Sequence, residues 1–444
     1  MVGFIAKGAD LANSNPSSSG NILVRKYGGS SLADIDRIQA VAQDIRRARD
    51  QGHRVVVVVS AMGKTTDDLA DLARRTNPSP PRRELDMLLS VGERITMSLL
   101  SMALAHEGCP AISFTGSQCG IITDNSHNDA RILEVKGDRV REALADGFTV
   151  VVAGFQGVSR EREITTLGRG GSDTTAVALA SALKAVRCEI LKDVDGVMSA
   201  DPHLVPDARR HDNLSWDEMR QIASSGCGVV HIRAVEYAAV HKVPLTVRSS
   251  FHDRPGTIIG PAEPAGSPAP AAGPADRGSD HRHLSDSCRM EVRYRPLVMN
   301  VDRDLTRIRL ATDDDQLGQQ WRNLLLDRLD AAGTVTEWLD SGEGFRWEVL
   351  ARRAALVGLQ EALEQNVDPV KGTMVWQDDL VCISLVGGRP DSWLEVQRHV
   401  SDLLRDLGCP PWRMRADGSA LRILVTGEIP QGFPERLHAA LLPA

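Results

Sequence analysis

The chain has 444 residues, 42% of them hydrophobic and 25% charged, and a formal net charge of −7. That length suits two or three domains, and the composition is ordinary for a water-soluble globular protein. The mild negative charge and the 4% aromatic content argue against nucleic acid as a partner, and no apolar run reaches the length of a membrane span. Residues 1–20 lack the charged start and long apolar core of a secretion signal and read as a disordered arm. The seven cysteines are scattered, odd in number and without a CxxC pair. They argue against a disulfide framework or zinc site and for a reducing cytoplasm.

Ile22-Leu23-Val24 starts a strand that ends at Lys26, followed by Gly28-Gly29-Ser30-Ser31. Ile35, Ile38, Val41, Ala42 and Ile45 then recur at helical spacing, so Lys26 and two glycines sit at a strand-to-helix turn, where backbone amides can cradle phosphate. Five consecutive valines, Val55 to Val59, form a second buried strand. The segment after it, Ala61-Met62-Gly63-Lys64-Thr65-Thr66, has the look of a Walker A loop. Its required first glycine falls at Val58, inside the strand, which excludes a P-loop. Residues 85–104 read as a long apolar helical segment that Gly92-Glu93-Arg94 opens or interrupts, and a glutamate there is expected to face solvent unless other motifs claim it.

Residues 113–116 and 121–124 add another strand-and-turn unit. Val150 to Phe155 reads as a buried strand, leading to Gly168-Arg169-Gly170-Gly171-Ser172-Asp173 and a helix of small residues. A glycine-rich loop feeding a helix N-terminus suits an anion, Arg169 adds a planar donor, and Ser172 or Asp173 is the expected N-cap. Cys188 to Leu191 is one more strand, ending in Lys192-Asp193-Val194-Asp195-Gly196-Val197-Met198 and then Asp201-Pro202-His203. The acids there do not have EF-hand spacing. The alternation of strand, turn and helix as far as Val247 predicts an α/β domain with a mostly parallel sheet and ligands at the strands' carboxyl ends.

Residues 261–286, rich in Pro, Ala and Gly, read as a flexible linker. Beyond it, residues 306–310 and 381–386 read as strands, and 316–332 and 393–407 as amphipathic helices. Residues 287–370 and 371–444 thus divide into two small α+β modules with a weak internal repeat.

The motifs of residues 21–260, in this order, resemble those of aspartate kinases of the amino-acid kinase family, most closely actinobacterial ones. The matching stretches are residues 24–31, 60–66, 92–94, 114–118, 165–180, 193–197 with 201–202, and 243–250. The resemblance implies a three-layer amino-acid kinase sandwich as the catalytic domain, ACT-like ferredoxin-type modules as a regulatory region, and ATP-dependent phosphorylation of the β-carboxylate of L-aspartate. It implies that Arg169 grips the substrate α-carboxylate and Glu93 its α-ammonium group. Thr66, Gly170, Gly171 and Ser172 would line the same pocket. Lys26 and the Gly28-Gly29 amides would stabilise the transferring phosphoryl group, with Asp173 orienting Lys26. Tyr27, Ser31, Ser60, Lys192, Asp193, Met198, Asp201 and His203 would lie along the nucleotide, with Mg²⁺ held mainly by ATP oxygens and water. A homo-oligomer formed through the ACT-like region is implied in the same way. The chemistry agrees with this inventory: a carboxylate nucleophile is already ionised at neutral pH, so transfer depends on positioning and charge neutralisation.

The departures from the family gather on the nucleotide side. Met198 stands where tyrosine is usual, His203 where arginine is usual, and Gly228 where lysine is usual. The Pro-Gly turn of the first ACT helix and the Ser-Glu-Ile effector signature are missing, which predicts a weakened response to lysine and threonine. Besides an aspartate kinase, two other readings stay open: a relative with a changed acceptor, donor or reaction, and a non-catalytic amino-acid-binding or regulatory subunit.

Overall fold

The computed structural model describes residues 21–261, 296–329, 336–339, 345–356, 372–387, 393–406, 411, 413–418, 420–427 and 429–442. The N-terminal arm and the linker from residue 262 onward lie outside them. In chain order the first region contains β1 (Ile22–Tyr27), α1 (Ile35–Asp50), β2 (Arg54–Val59), α2 (Thr65–Thr76), α3 (Arg82–Leu89), α4 (Val91–His106), β3 (Ala111–Phe114), β4 (Ile121–Thr123), β5 (Ile132–Val135), α5 (Asp138–Ala145), β6 (Thr149–Ala153), β7 (Gln156–Ser159), β8 (Ile164–Thr166), α6 (Gly171–Ala182), β9 (Arg187–Lys192), β10 (Asn213–Ser215), α7 (Trp216–Ser224), α8 (Ile232–His241), β11 (Leu245–Ser249) and β12 (Thr257–Gly260).

Eight strands form one sheet in the order β10-β12-β11-β9-β1-β2-β6-β3, and every pairing is parallel except β11 with β12. The valine run of β2 is buried on both faces, as a strand covered by helices on each side must be. On one face Leu23, Tyr27, Val55, Val57 and Val59 pack against Ile38, Val41 and Ile45 of α1 and Leu100 and Leu104 of α4. On the other, Val24, Val56, Val58 and Ile190 pack against α5, α6, α7 and α8. A small second sheet, β5-β4-β7-β8, extends from the carboxyl end of β6. Because β1 pairs with both β2 and β9, the crevice at their carboxyl ends is a topological switch point.

The apolar helical segment over residues 85–104 is divided into two helices, α3 and α4, at Ser90, so that Gly92-Glu93-Arg94 lies in the first turn of α4. By length and composition the stretch Arg82–His106 alone among the described residues would suit a membrane, and nearly half of its most apolar window is buried inside the fold.

The second region contains β13 (Val298–Thr312), α9 (Asp315–Leu329), β14 (Thr336–Leu339), β15 (Phe345–Arg352), α10 (Arg353–Leu356), β16 (Thr373–Val386), α11 (Trp393–Asp406), β17 (Arg413–Asp417), β18 (Ala420–Thr426) and α12 (Phe433–Leu441). The strands form one antiparallel sheet, β14-β15-β13-β16-β18-β17. The chain therefore runs strand, helix, strand, strand, helix twice, and the first strands of the two halves, β13 and β16, pair at the centre.

Candidate active site

Two loops meet at the carboxyl ends of β1 and β2: Ser60 N–H donates to the Tyr27 carbonyl at 3.2 Å and Gly63 N–H to the Gly29 carbonyl at 3.1 Å. Lys26, the penultimate residue of β1, points to the α6 face, because alternate strand residues point to opposite faces. Its ammonium Nζ lies 2.7 Å from Asp173 Oδ1, and Lys192 Nζ at the end of β9 lies 3.3 Å from Asp173 Oδ2. Burial opposes ionisation of Asp173, but the two ammonium groups outweigh it and hold the carboxyl well below the usual range. Burial pulls Lys26 below an ordinary amine, with Asp173 opposing. Two cations around one anion leave a positive cluster beside the N-terminus of α6, whose dipole adds to it.

The α6 N-cap is Gly170, at φ +70° with no side-chain cap, and neither Ser172 nor Asp173 takes that role; both are buried inside the helix. Ser172 stands against Gly154, where a Cβ would come within 2.8 Å of the serine side chain, so bare backbone there lets α6 approach the sheet. At Gly170 a Cβ would fall 2.2 Å from the His231 side chain. His231 caps the start of α8; burial of its ring, with the charges of Arg233, Arg169 and Lys192, depresses its basicity against the opposing pull of Asp173. Arg233, two residues on, fixes the same loop: its guanidinium donates to the Leu167 carbonyl at 2.5 Å, the Ala130 carbonyl at 2.8 Å and Asp129 Oδ1 at 2.8 Å. Arg169 itself is exposed on the loop.

Glu93 does not face solvent: it is 3% exposed and accepts from Ala61 N–H at 3.2 Å. Burial raises its carboxyl to about 7, against the backbone donors and Lys26. One oxygen, Oε2, is buried and has no partner among the described residues, so the group is ready for a cation. A second buried acid escaped sequence reading. Asp86 of α3 accepts from Asn128 N–H at 3.1 Å and its side-chain amide at 2.8 Å, lies 2.6 Å from His127 Nδ1, and also binds the Thr166 hydroxyl. It ties residues 127–128 to β8 ahead of the Arg169 loop. Its only signal in the sequence is an acid within an apolar helix, the same weak signal Glu93 gives.

Other expected site residues separate. Gly28 lies beside Lys26 and Lys192, and Thr66 is half-buried in the first turn of α2. The Tyr27 side chain points away from the crevice and its hydroxyl donates to Asp44 at 2.6 Å. Ser31 is buried and shares a 2.8 Å hydrogen bond with Ser250, so its hydroxyl ties two loops together. Past Lys192, Asp193 is exposed, Met198 is half-buried and forms an isolated bridge with Arg210, and Asp201 Oδ1 pairs with His203 Nδ1 at 3.0 Å. The His203 side chain is 94% exposed. Gly228 is exposed, with open space where a side chain would go.

The sequence profile of the amino acid kinase family matches residues 21–249. Over 239 residues the chain is 56% identical to an aspartokinase of Mycolicibacterium smegmatis, a match covering 54% of this chain and 57% of that protein. It is 55% identical over 238 residues to an aspartokinase of Thermus thermophilus, covering 54% and 59%. The chain thus spans little more than half the length of these relatives. A crystal structure of aspartate kinase from Synechocystis matches at 33% identity with a TM-score of 0.51, over 95% of this chain and 68% of that one. The fold also matches E. coli aspartokinase III in complex with aspartate and ADP, at a TM-score of 0.70 and 20% identity, over 95% and 100%. With strand order, crevice and sequence in agreement, the chain belongs to the amino acid kinase family.

Proposed function

We propose that the protein is an aspartate kinase that transfers the γ-phosphoryl group of ATP to the β-carboxylate of L-aspartate, giving 4-phospho-L-aspartate. The observation that carries this reading is the Lys26–Asp173–Lys192 cluster at the N-terminus of α6, with Glu93 buried nearby. Arg169 grips the α-carboxylate, the unpartnered Glu93 oxygen takes the α-ammonium group, and Thr66 with the backbone of Gly170, Gly171 and Ser172 lines the pocket. Lys26, held by Asp173, neutralises charge on the transferring group, aided by the Gly28 and Gly29 amides. No proton needs removing from the nucleophile, so the absence of a strong base from these roles is no obstacle.

The nucleotide lies along Lys26, the 28–31 turn, Ser60 and residues 192–203. Lys192 gives a second cation for phosphate, and Tyr27 contributes backbone only. Mg²⁺ would be held mainly by ATP oxygens and water, and would supply charge neutralisation of the phosphates.

The exposed His203 and open Gly228 favour a second reading, in which nucleotide affinity is eroded and the chain serves a changed reaction or a non-catalytic role. An assay of hydroxamate formation and ADP release with MgATP, comparing aspartate with glutamate, decides between them. Aspartate-dependent hydroxamate matched by ADP supports the kinase. Calorimetric binding of aspartate without turnover supports the second reading. The second region is read as paired ACT-like modules through which the chain forms homo-oligomers, with little response to lysine or threonine. An inhibition curve in which millimolar lysine plus threonine stops the reaction would remove the last point. The five described cysteines are free thiols, four of them buried, which suits a reducing cytoplasm.

A further inference from the structure

Residues 197–211, between β9 and β10, run against the second region. Ser199 is their hub: it is 6% exposed, its hydroxyl accepts from Arg209 N–H at 2.9 Å, and its carbonyl accepts from Met299 N–H of β13 at 2.8 Å. The same hydroxyl shares a 2.8 Å hydrogen bond with Nε2 of His438, a residue of α12 that is itself 4% exposed. Around this bond Ala200 and Val205 join one apolar core with Met299, Ile383, Phe433, Leu437 and Leu441. Two further bonds flank the joint: His211 Nε2 with the Leu297 carbonyl at 3.0 Å, and Asn300 Nδ2 donating to the Ser225 carbonyl at 3.0 Å. A cavity of about 380 Å³, walled by Asp207, Arg209, Glu435 and His438 among others, opens beside it. Segment 197–211 lies outside the regular strands and helices; Met198 directly precedes Ser199, and bonds such as Ser199 N–H to the Arg209 carbonyl and His211 N–H to the Val197 carbonyl fold the segment back on itself.

We infer that His438 is a positioning residue for the nucleotide: through Ser199 the last helix of the chain holds segment 197–211 in the shape that receives it. The inference rests on reading residues 192–203 as the nucleotide side of the crevice. The second region is then a wall of the nucleotide site even when no effector is present. A buried side-chain hydrogen bond between the two regions does this, because its loss loosens the hold of α12 on Ser199, the neighbour of Met198, without touching Arg169, Glu93 or the α6 N-terminus. The aspartate side of the crevice is untouched, so the two ligands respond differently.

The test is calorimetric titration of the full chain with ADP and, separately, with aspartate, for the wild type, His438→Ala, His438→Gln, Ser199→Ala and the double variant His438→Ala/Ser199→Ala. Loss of one buried hydrogen bond predicts about 5- to 10-fold weaker ADP binding in His438→Ala, with aspartate affinity within about twofold. His438→Gln, whose amide reaches toward the same hydroxyl, recovers most of the loss. Ser199→Ala behaves as His438→Ala does, and the double variant is no weaker than either, the sign of one shared interaction. ADP affinity unchanged in both single variants overturns the inference, as does an equal loss for both ligands. If His438→Ala does not fold, Ser199→Ala decides alone. A wild type that binds no ADP removes the nucleotide reading itself, a result distinct from variants that bind as well as the wild type.

Discussion

Glu93 is the residue whose environment says most about the site. Its carboxyl is raised from an ordinary 4.5 to about 7 by burial. Between those values the folded chain holds a proton that the unfolded chain releases, so stability falls as pH rises through that window. Glu93→Gln removes the penalty, and its unfolding free energy at pH 8 should exceed that of the wild type by ~1–3 kcal/mol, measured by denaturant titration without ligand. On the proposed assignment, binding of the aspartate ammonium group needs the carboxylate. Aspartate affinity should therefore weaken up to about tenfold per pH unit below 7, and Glu93→Gln should flatten that profile while losing about 10- to 100-fold in affinity at pH 8. An unchanged profile in the variant would assign the titration to another group. On the proposed assignment Lys26 acts at a different step: Lys26→Ala should lower kcat by about 100- to 1,000-fold, as removal of one preorganised charge does, with a smaller change in the Michaelis constant for aspartate. Near wild-type turnover in steady-state assays would remove Lys26 from the phosphoryl position. Lys26 and Arg169 were legible in the sequence because each stands in a glycine-marked turn between a strand and a helix, a local pattern. Glu93 is singled out only by the family resemblance and not by its local pattern, since burial of one helical carboxylate depends on which face α4 turns to the sheet, and that is decided by Met97, Leu100 and Leu104 together with strands far along the chain.

At the scale of elements, the site is a loop held from behind by a helix. The β8–α6 loop carries Arg169 on Gly168 and Gly170, both at positive φ, so the loop has little stiffness of its own. The start of α8 supplies it. His231 packs on Gly170 and Arg233 spans the Leu167 and Ala130 carbonyls and Asp129. Arg233→Lys keeps the charge but loses the planar fork, and Lys cannot bridge three acceptors in fixed directions. The expected result is a rise of about tenfold in the Michaelis constant for aspartate, with that for ATP within about twofold. Equal rises for both, in the same steady-state assay, would mean that α8 supports the whole crevice and not the loop. The loop before α8 is also where a cation is missing. Gly228→Lys has space to enter without displacing anything and should tighten ADP binding in calorimetry by at least severalfold if phosphate lies within its reach. The expected serine or aspartate N-cap of α6 failed for a reason internal to this element. Asp173 is committed to two lysines and Ser172 to the Gly154 backbone, so the positive-φ glycine ends the loop in their place.

At the scale of the molecule, two regions share apolar cores unequally. The core of the kinase region takes in Val298, Val386 and Ala420, and the core around α11 and α12 takes in Ala200 and Val205. The remaining large cluster, Ile308, Leu310, Trp321, Leu325, Phe345, Trp347, Val349 and Ala351, is built from β13, α9 and β15 without any kinase residue. Nothing in the sequence announces this, since β13 pairs with β16 across some seventy residues, from Val298 with Val386 to Ala311 with Thr373, and such pairing leaves no local trace. Read alone, the two halves look like separate modules. Joined in one sheet, they divide along another line: the start of β13 with β16, β18 and α12 is fastened to the kinase region, and among the described residues α9 and β15 pack on the rest of β13 in a core of their own. Stability spreads through shared burial, and segments opening together are those that lose the same contacts. Native-state hydrogen exchange should therefore show amides of residues 381–386 and of β18 exchanging in step with β9 and β11, with α9 and β15 opening earlier at lower denaturant. If α9 and β15 instead exchange together with β9, the six-stranded sheet opens as one unit with the kinase region, and the cores do not set its cooperative boundaries.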